Sequence, residues 1–225
     1  MTPTRICLVG ATGLIGTSVI EAAVGRPDLR IVGVARREVP LPPGAQMEML
    51  VAEPSGWSDA IAASGASVLV CALGTTIAAQ GGDQQAFRAI DHDLVVECGR
   101  AAKAAGIGHM ILVSSVGADR ASRTFYLRVK GETEDALHKL GLGRLDILRP
   151  GLLRGHRTER RVGERIAMVL SPVIDLFLQG GLRRFRSIKA ETVAQAIFAL
   201  ARERAGGRFV HDYDAMVRAV RRARG

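Results

Sequence analysis

The stretch Gly10-Ala11-Thr12-Gly13-Leu14-Ile15-Gly16 constrains this chain more than any other. It follows a strand-like apolar run, Arg5–Val9, and opens a segment compatible with a helix. In that context each glycine has its own reason to lack a side chain. Gly10 permits a tight turn, Gly13 lets backbone N–H groups approach an anion, and Gly16 lets the helix pack closely on the sheet. With Thr12, Leu14 and Ile15, the turn presents the positive end of a helix, an arrangement that takes the pyrophosphate of a dinucleotide. The second strand then ends Ala35-Arg36-Arg37, where an NAD-binding chain usually carries an acid for the ribose 2′-hydroxyl. Guanidinium groups suit a 2′-phosphate, Arg36 ahead of Arg37, so this turn favours NADP(H) over NAD(H).

Further strand-like runs fall at Arg30–Ala35, Met47–Val51, Val68–Ala72, Met110–Ser114 and Arg144–Leu148, with helix-compatible segments between most of them. The alternation predicts an α/β chain with a doubly wound parallel sheet that binds its ligand at the carboxyl ends of the strands. A long helix is predicted over Gln84–Ala105, ended by Gly106, and a second over Thr124–Leu140. Thr192 is predicted to cap a last core helix running to Ala201, and Arg208–His211 to add a closing strand. Beyond Pro150, Val162, Ile166, Val169, Leu170, Val173, Ile174 and Phe177 recur at helical spacing. Residues 151–185 therefore read either as a small helical lid or substrate lobe within one domain spanning 1–225, or as a helix covering the sheet edge or the face of a homodimer.

Of the 31 basic residues 27 are Arg, dispersed along the chain, so the net charge of +9 reads as a solvated surface. Neither local concentration, Arg154–Arg165 or Arg218–Arg224, is interleaved with aromatics, which argues against a nucleic-acid partner. Cys7, Cys71 and Cys98 sit in apolar runs without metal-ligand spacing and read as reduced core residues, with no metal site. No stretch approaches eighteen uncharged apolar residues and the N-terminal run lacks the form of a signal peptide, so the expectation is a cytoplasmic protein not inserted in a membrane.

The chemistry concentrates after the fourth and fifth strands. The fourth ends in a small-residue turn, Cys71-Ala72-Leu73-Gly74-Thr75-Thr76, against which a planar or ribosyl group can lie. Ser114-Ser115 closes the fifth. Tyr126 follows, with Lys130 four residues on, so phenol and ammonium share one helix face. These groups fit carbonyl reduction or its reverse: Tyr126 exchanges a proton with oxygen, Lys130 tunes the phenol or holds the nicotinamide ribose, and Ser115, or Ser114, donates to the substrate oxygen. Pro150-Gly151-Leu152, ending the sixth strand, can present backbone to the carboxamide side of the ring.

Several blocks in this order resemble the atypical short-chain dehydrogenase/reductases, and most nearly the Tat-interacting-protein-type oxidoreductases and their bacterial relatives. The blocks are Leu73-Gly74-Thr75-Thr76, Ser114-Ser115 with Gly117-Ala118-Asp119, Tyr126-Leu127 with Val129-Lys130-Gly131-Glu132, and Arg149-Pro150-Gly151. The resemblance implies a Rossmann fold, NADPH at the glycine turn and Arg36, and Ser115, Tyr126 and Lys130 as the catalytic set. It also places Asp91 where many extended members carry an Asn that helps organise a proton relay. Two functions are compatible with it. One is an NADPH-dependent reductase of a small carbonyl or quinone-like substrate; the other is an NADP(H)-binding redox sensor with little turnover.

Overall fold

The computed structural model describes residues 3–155 and 178–225. Seven parallel strands form its central sheet in the order β3-β2-β1-β4-β5-β6-β9. They are β1 (Thr4–Val9), β2 (Leu29–Ala35), β3 (Met47–Val51), β4 (Val68–Cys71), β5 (His109–Val113), β6 (Arg144–Leu148) and β9 (Gly207–His211). The chain winds outward from β1 to β3, returns to β4 on the other side of β1, and continues to the far edge. The reversal between β1 and β4 opens a crevice at the carboxyl ends of the strands, where an α/β sheet of this kind takes its ligand.

Alternation along each strand divides the core between two layers. Ile6 and Leu8 of β1 face one side, with Ile31, Ile111 and Leu148. There they meet α1 (Leu14–Ala23), α6 (Ala190–Leu200) and α7 (Tyr213–Arg224) through Ile15, Val19, Val193, Ile197, Phe198 and Met216. Cys7 and Val9 face the other side, with Leu69, Cys71, Met110 and Ile147. That layer is closed by α2 (Trp57–Ala63), α4 (Val95–Ala104) and α5 (Phe125–Lys139) through Trp57, Ile61, Val95, Cys98 and Leu137. All three cysteines are buried free thiols, and burial pushes Cys7 and Cys71 up to about 11.

Two predicted elements differ in detail. The helix expected over Gln84–Ala105 is α3 (Gln84–Arg88), a π turn over Ala89–Leu94, and then α4. The wide turn places Asp91 inside the fold, and Thr133 Oγ1 of α5 shares its proton between the carbonyl oxygens of Asp91, at 3.0 Å, and Val129, at 2.8 Å. Gly106 ends α4 as expected, at φ +77°. Thr192 does not cap the last core helix. That helix starts at Ala190 with Lys189 as its N-cap, because a two-residue ladder, β7 (Leu153–Arg154) with β8 (Ile188–Lys189), delivers the chain into it in extended form.

Of the segment 151–185, the amphipathic residues Val162 to Phe177 lie outside the described residues. Gly180–Phe185 form a 3-10 turn, and the next residue, Arg186, brings the chain back over Gly151. Among the described residues no helix is long and apolar enough to cross a membrane.

Candidate active site

The glycine turn is built by contacts with its own chain. Gly10 has φ +90°, and a Cβ there would lie 2.5 Å from the carbonyl carbon of Ala72 at the end of β4. A Cβ on Gly16 would lie 2.2 Å from the Gly10 carbonyl oxygen, so the first turn of α1 can close on the β1 end only without a side chain. Gly13 is different. A Cβ there would come no nearer than 3.5 Å to any atom of the protein, and the residue is exposed, so internal packing does not demand its glycine. Gly13 is the N-cap of α1, with no side-chain cap and no acid in the first turn. The amides of Leu14, Ile15 and Gly16 stand at an uncapped helix start beside exposed Thr12. This cradle fits a pyrophosphate: its open face lacks a side chain where an anion would sit and lacks a negative charge that would repel it.

Parallel register brings the β2 end beside this turn, since Val34 pairs with Val9. Arg36 and Arg37 follow directly, both exposed, and neither makes an ion pair among the described residues. On the opposite flank, Ala72 donates from its N–H to Val9 at 2.8 Å, and Leu73 packs on the core below.

Lys130 is buried in α5, and its Nζ stands 2.7 Å from Oδ1 of the wholly buried Asp91 carboxylate. Oδ2 of Asp91 accepts the Thr75 N–H at 2.8 Å, which ties the loop after β4 to the pair. Burial works against the ammonium, but the charges of Asp91 and Tyr126 outweigh it and hold Lys130 above its ordinary value. Gly74 lies over the pair. A Cβ there would come 3.6 Å from Asp91 Oδ1 and 3.8 Å from Lys130 Nζ, so the missing side chain leaves the pair reachable from the turn.

Tyr126 stands one turn earlier on α5. Its ring packs on the fully buried ring of Phe87 with centroids 5.7 Å apart, and its hydroxyl has no hydrogen-bond partner among the described residues. Phe87 also holds Phe125 at 5.9 Å, so one aromatic of α3 orients the start of α5. The sequence reading missed Phe87; its signal was only an apolar position in a helix.

The two serines separate. The Ser114 hydroxyl donates to the buried Glu134 carboxylate at 2.6 Å, and Glu134 also receives Arg149 Nε at 3.0 Å. Ser114 is thus committed within the fold, while the Ser115 hydroxyl has among the described residues only a 3.3 Å bond to the Val116 carbonyl. Pro150 accepts from the Val116 N–H at 3.0 Å and locks the β6 end to this serine loop. Gly151 has a reason within the chain, since a Cβ there would lie 2.5 Å from the Arg186 carbonyl oxygen; Leu152 next to it is exposed. Gly131 was quoted only as part of a block. A Cβ on it would lie 2.2 Å from the Arg120 amide nitrogen, so it lets the loop after β5 close on α5. A cavity of about 470 Å³ is lined by Gly131, Glu134 and Arg149 but by neither Tyr126 nor Lys130.

Comparison with known proteins agrees with this geometry. Residues 10–204 match the family described as NAD(P)H-binding. Two relatives are the mitochondrial proteins Fmp52 of Emericella nidulans, 35% identical over 170 residues (72% of each chain), and Fmp52 of Candida albicans, 34% identical over 169 residues (72% of this chain, 73% of the relative). These names overturn the expected cytoplasmic placement, which rested on cysteine usage and the absence of a recognisable leader. Solved structures share the fold. Bordetella bronchiseptica WbmH in complex with NAD+ has a TM-score of 0.69 at 14% identity, covering 93% of this chain and 75% of that one. A Bacillus halodurans protein provisionally described as an NAD-dependent epimerase/dehydratase has a TM-score of 0.69 at 21% identity, covering 97% and 99%. With its cradle at the crevice between β1 and β4, the chain belongs to the NAD(P)H-binding family.

Proposed function

We propose that the protein is an NADPH-dependent reductase of a small carbonyl or quinone-like substrate. The reading is supported by the buried Lys130, paired with Asp91 at the loop after β4, with Tyr126 one turn earlier on the same helix against Phe87 and the Ser115 hydroxyl not drawn into the Glu134 cluster that holds Ser114. When bound, NADPH supplies a hydride from its nicotinamide. Gly10, Gly13 and Gly16 let the chain take the pyrophosphate, and Lys130 holds the ribose end through the opening at Gly74. Ser115 donates to the substrate oxygen, and Tyr126 gives that oxygen its proton. Phe87 keeps the phenol in place. Arg36 and Arg37 take the 2′-phosphate.

A panel of aldehydes, ketones and quinones assayed by NADPH oxidation tests the reading. At least one substrate is expected to turn over; tight NADPH binding with no oxidation across the panel would overturn it. Cofactor choice is tested separately. Changing both Arg36 and Arg37 to Ala is expected to weaken NADPH binding about 10- to 100-fold and to leave NADH nearly unaffected, as loss of charge-assisted bonds to one phosphate requires. Equal losses for the two cofactors would remove the arginines from that role.

A further inference from the structure

The anion cradle is a helix start without a cation of its own. No residue from Gly10 to Ser18 is basic. An uncapped helix start is worth only about half a positive charge, and a pyrophosphate is doubly negative. Lys130 already pairs with Asp91, and Arg36 and Arg37 follow β2 on the flank assigned to the 2′-phosphate.

The chain leaving β6 brings another cation alongside. After Pro150 it runs to the start of α1, where Gly155 sits so close to Leu14 that a Cβ on it would lie 2.7 Å from Leu14 Cδ1. The preceding residue is Arg154 of β7, half-buried, its Cα about 3.8 Å from that of Gly155. Among the buried side-chain nitrogens and oxygens of the described residues, Arg154 Nε alone has neither a hydrogen bond nor an ion pair. A buried charged donor left unmatched is costly to a fold. The ladder adds to the imbalance, because Arg154 stands in register with Lys189 of β8 and like charges on neighbouring strands repel. Lys189 is exposed and has no ion pair among the described residues, and Glu191 at the start of α6 pairs with neither cation. Leu153 and Ile188, on the other face of the ladder, go into the core beneath. A bound anion would supply what the described fold withholds from Arg154.

We propose that Arg154 is a cofactor-binding residue that takes the pyrophosphate together with the start of α1, with Lys189 adding to the local positive field. A guanidinium fork matches phosphate oxygens in a way that a helix end alone does not. The proposal rests on NAD(P)H binding at the glycine turn and not on the reductase reading. Since NADPH and NADH share the pyrophosphate, Arg154 acts on both, unlike Arg36 and Arg37.

Fluorescence titration of the full chain with NADPH and with NADH reads the effect without turnover. Arg154→Met is expected to weaken both about 10- to 100-fold, as loss of charge-assisted bonds to phosphate requires. Displacement of NADPH then separates the phosphates. ADP is expected to lose affinity about as the cofactors do, while adenosine 2′-phosphate, which has no pyrophosphate, stays within about twofold of its affinity for the parent. Unchanged affinity for both cofactors overturns the proposal, as does a loss confined to NADPH and adenosine 2′-phosphate. Should Arg154→Met fail to fold, Arg154→Gln, which keeps the stem and a neutral N–H donor, decides by the same titrations. Absence of turnover in the parent would defeat the reductase reading and leave these titrations to judge Arg154.

Discussion

Tyr126→Phe is expected to lower kcat for NADPH-dependent reduction by about 10²- to 10⁴-fold, the usual contribution of a positioned general acid. The substitution removes one oxygen and little else. The phenyl ring retains its packing on Phe87, and the hydroxyl has no hydrogen bond among the described residues that the fold would lose. Thermal stability and NADPH affinity are therefore expected to stay close to those of the parent. Steady-state kinetics beside a fluorescence titration of NADPH separates the two effects. Turnover that survives Tyr126→Phe unchanged would remove Tyr126 from the chemistry, and a parallel fall in affinity and rate would point to a binding role.

The second large effect lies away from the site. Asp146, in the middle of β6, is fully buried and accepts four hydrogen bonds: from His109 of β5 at 2.8 Å, His211 of β9 at 2.7 Å, and Arg144 Nε and Nη2 at 2.6 and 2.9 Å. Arg144 also donates to the Ala205 carbonyl at 2.6 Å and covers the Phe209 ring at 4.4 Å. One carboxylate thereby ties together the three strands that carry the serine loop, the Pro150 corner and the sheet edge. Asp146→Ala leaves a buried guanidinium without its counter-charge. It is expected to cost about 3–5 kcal/mol, a fall in Tm of roughly 6–20 °C for a chain of this size.

The same cluster sets a pH dependence. Burial raises the Asp146 pKa, but the bonds from His109, His211 and Arg144 outweigh it and hold the carboxyl well below the usual carboxylate range. A depressed folded-state value means that its stabilisation is fully present above the unfolded value, near 3.9, and is lost as pH falls through the folded one. Denaturant titrations of the parent from neutral pH down to about 3 are expected to show this loss at the acid end. In Asp146→Asn that part of the acid sensitivity should be absent. An identical acid slope in the two proteins would take Asp146 out of the account.

Much of the fold was legible because its signals are local. The glycine turn lies within seven residues, and the strands stand out as short apolar runs whose positions match the observed sheet. Errors arose where local signal and tertiary demand diverge. Thr192 is a good capping residue, but the β7–β8 ladder places the cap at Lys189, three residues earlier. Helical periodicity ran without interruption through Asp91 because a π turn alters hydrogen bonding without a compositional mark. Cytoplasmic placement rested on cysteine usage and on the lack of a signal-peptide pattern, neither of which distinguishes one compartment behind a membrane from another, and it was corrected by the mitochondrial relatives.

By itself the sequence determined the strand–turn–helix cradle, the arginines after β2 and the four-residue spacing that puts Tyr126 and Lys130 on one helix face. Each of these follows from backbone geometry over a few residues. Only the tertiary structure decided which serine is left free, what holds Tyr126 and what balances Lys130. Glu134, Phe87 and Asp91 lie 20, 39 and 39 residues from the groups they meet, read from the numbering. Whether a hydroxyl is committed or a buried charge is neutralised depends on which distant side chain the packing brings within hydrogen-bond reach. In this protein the π turn before α4 makes that choice for Lys130.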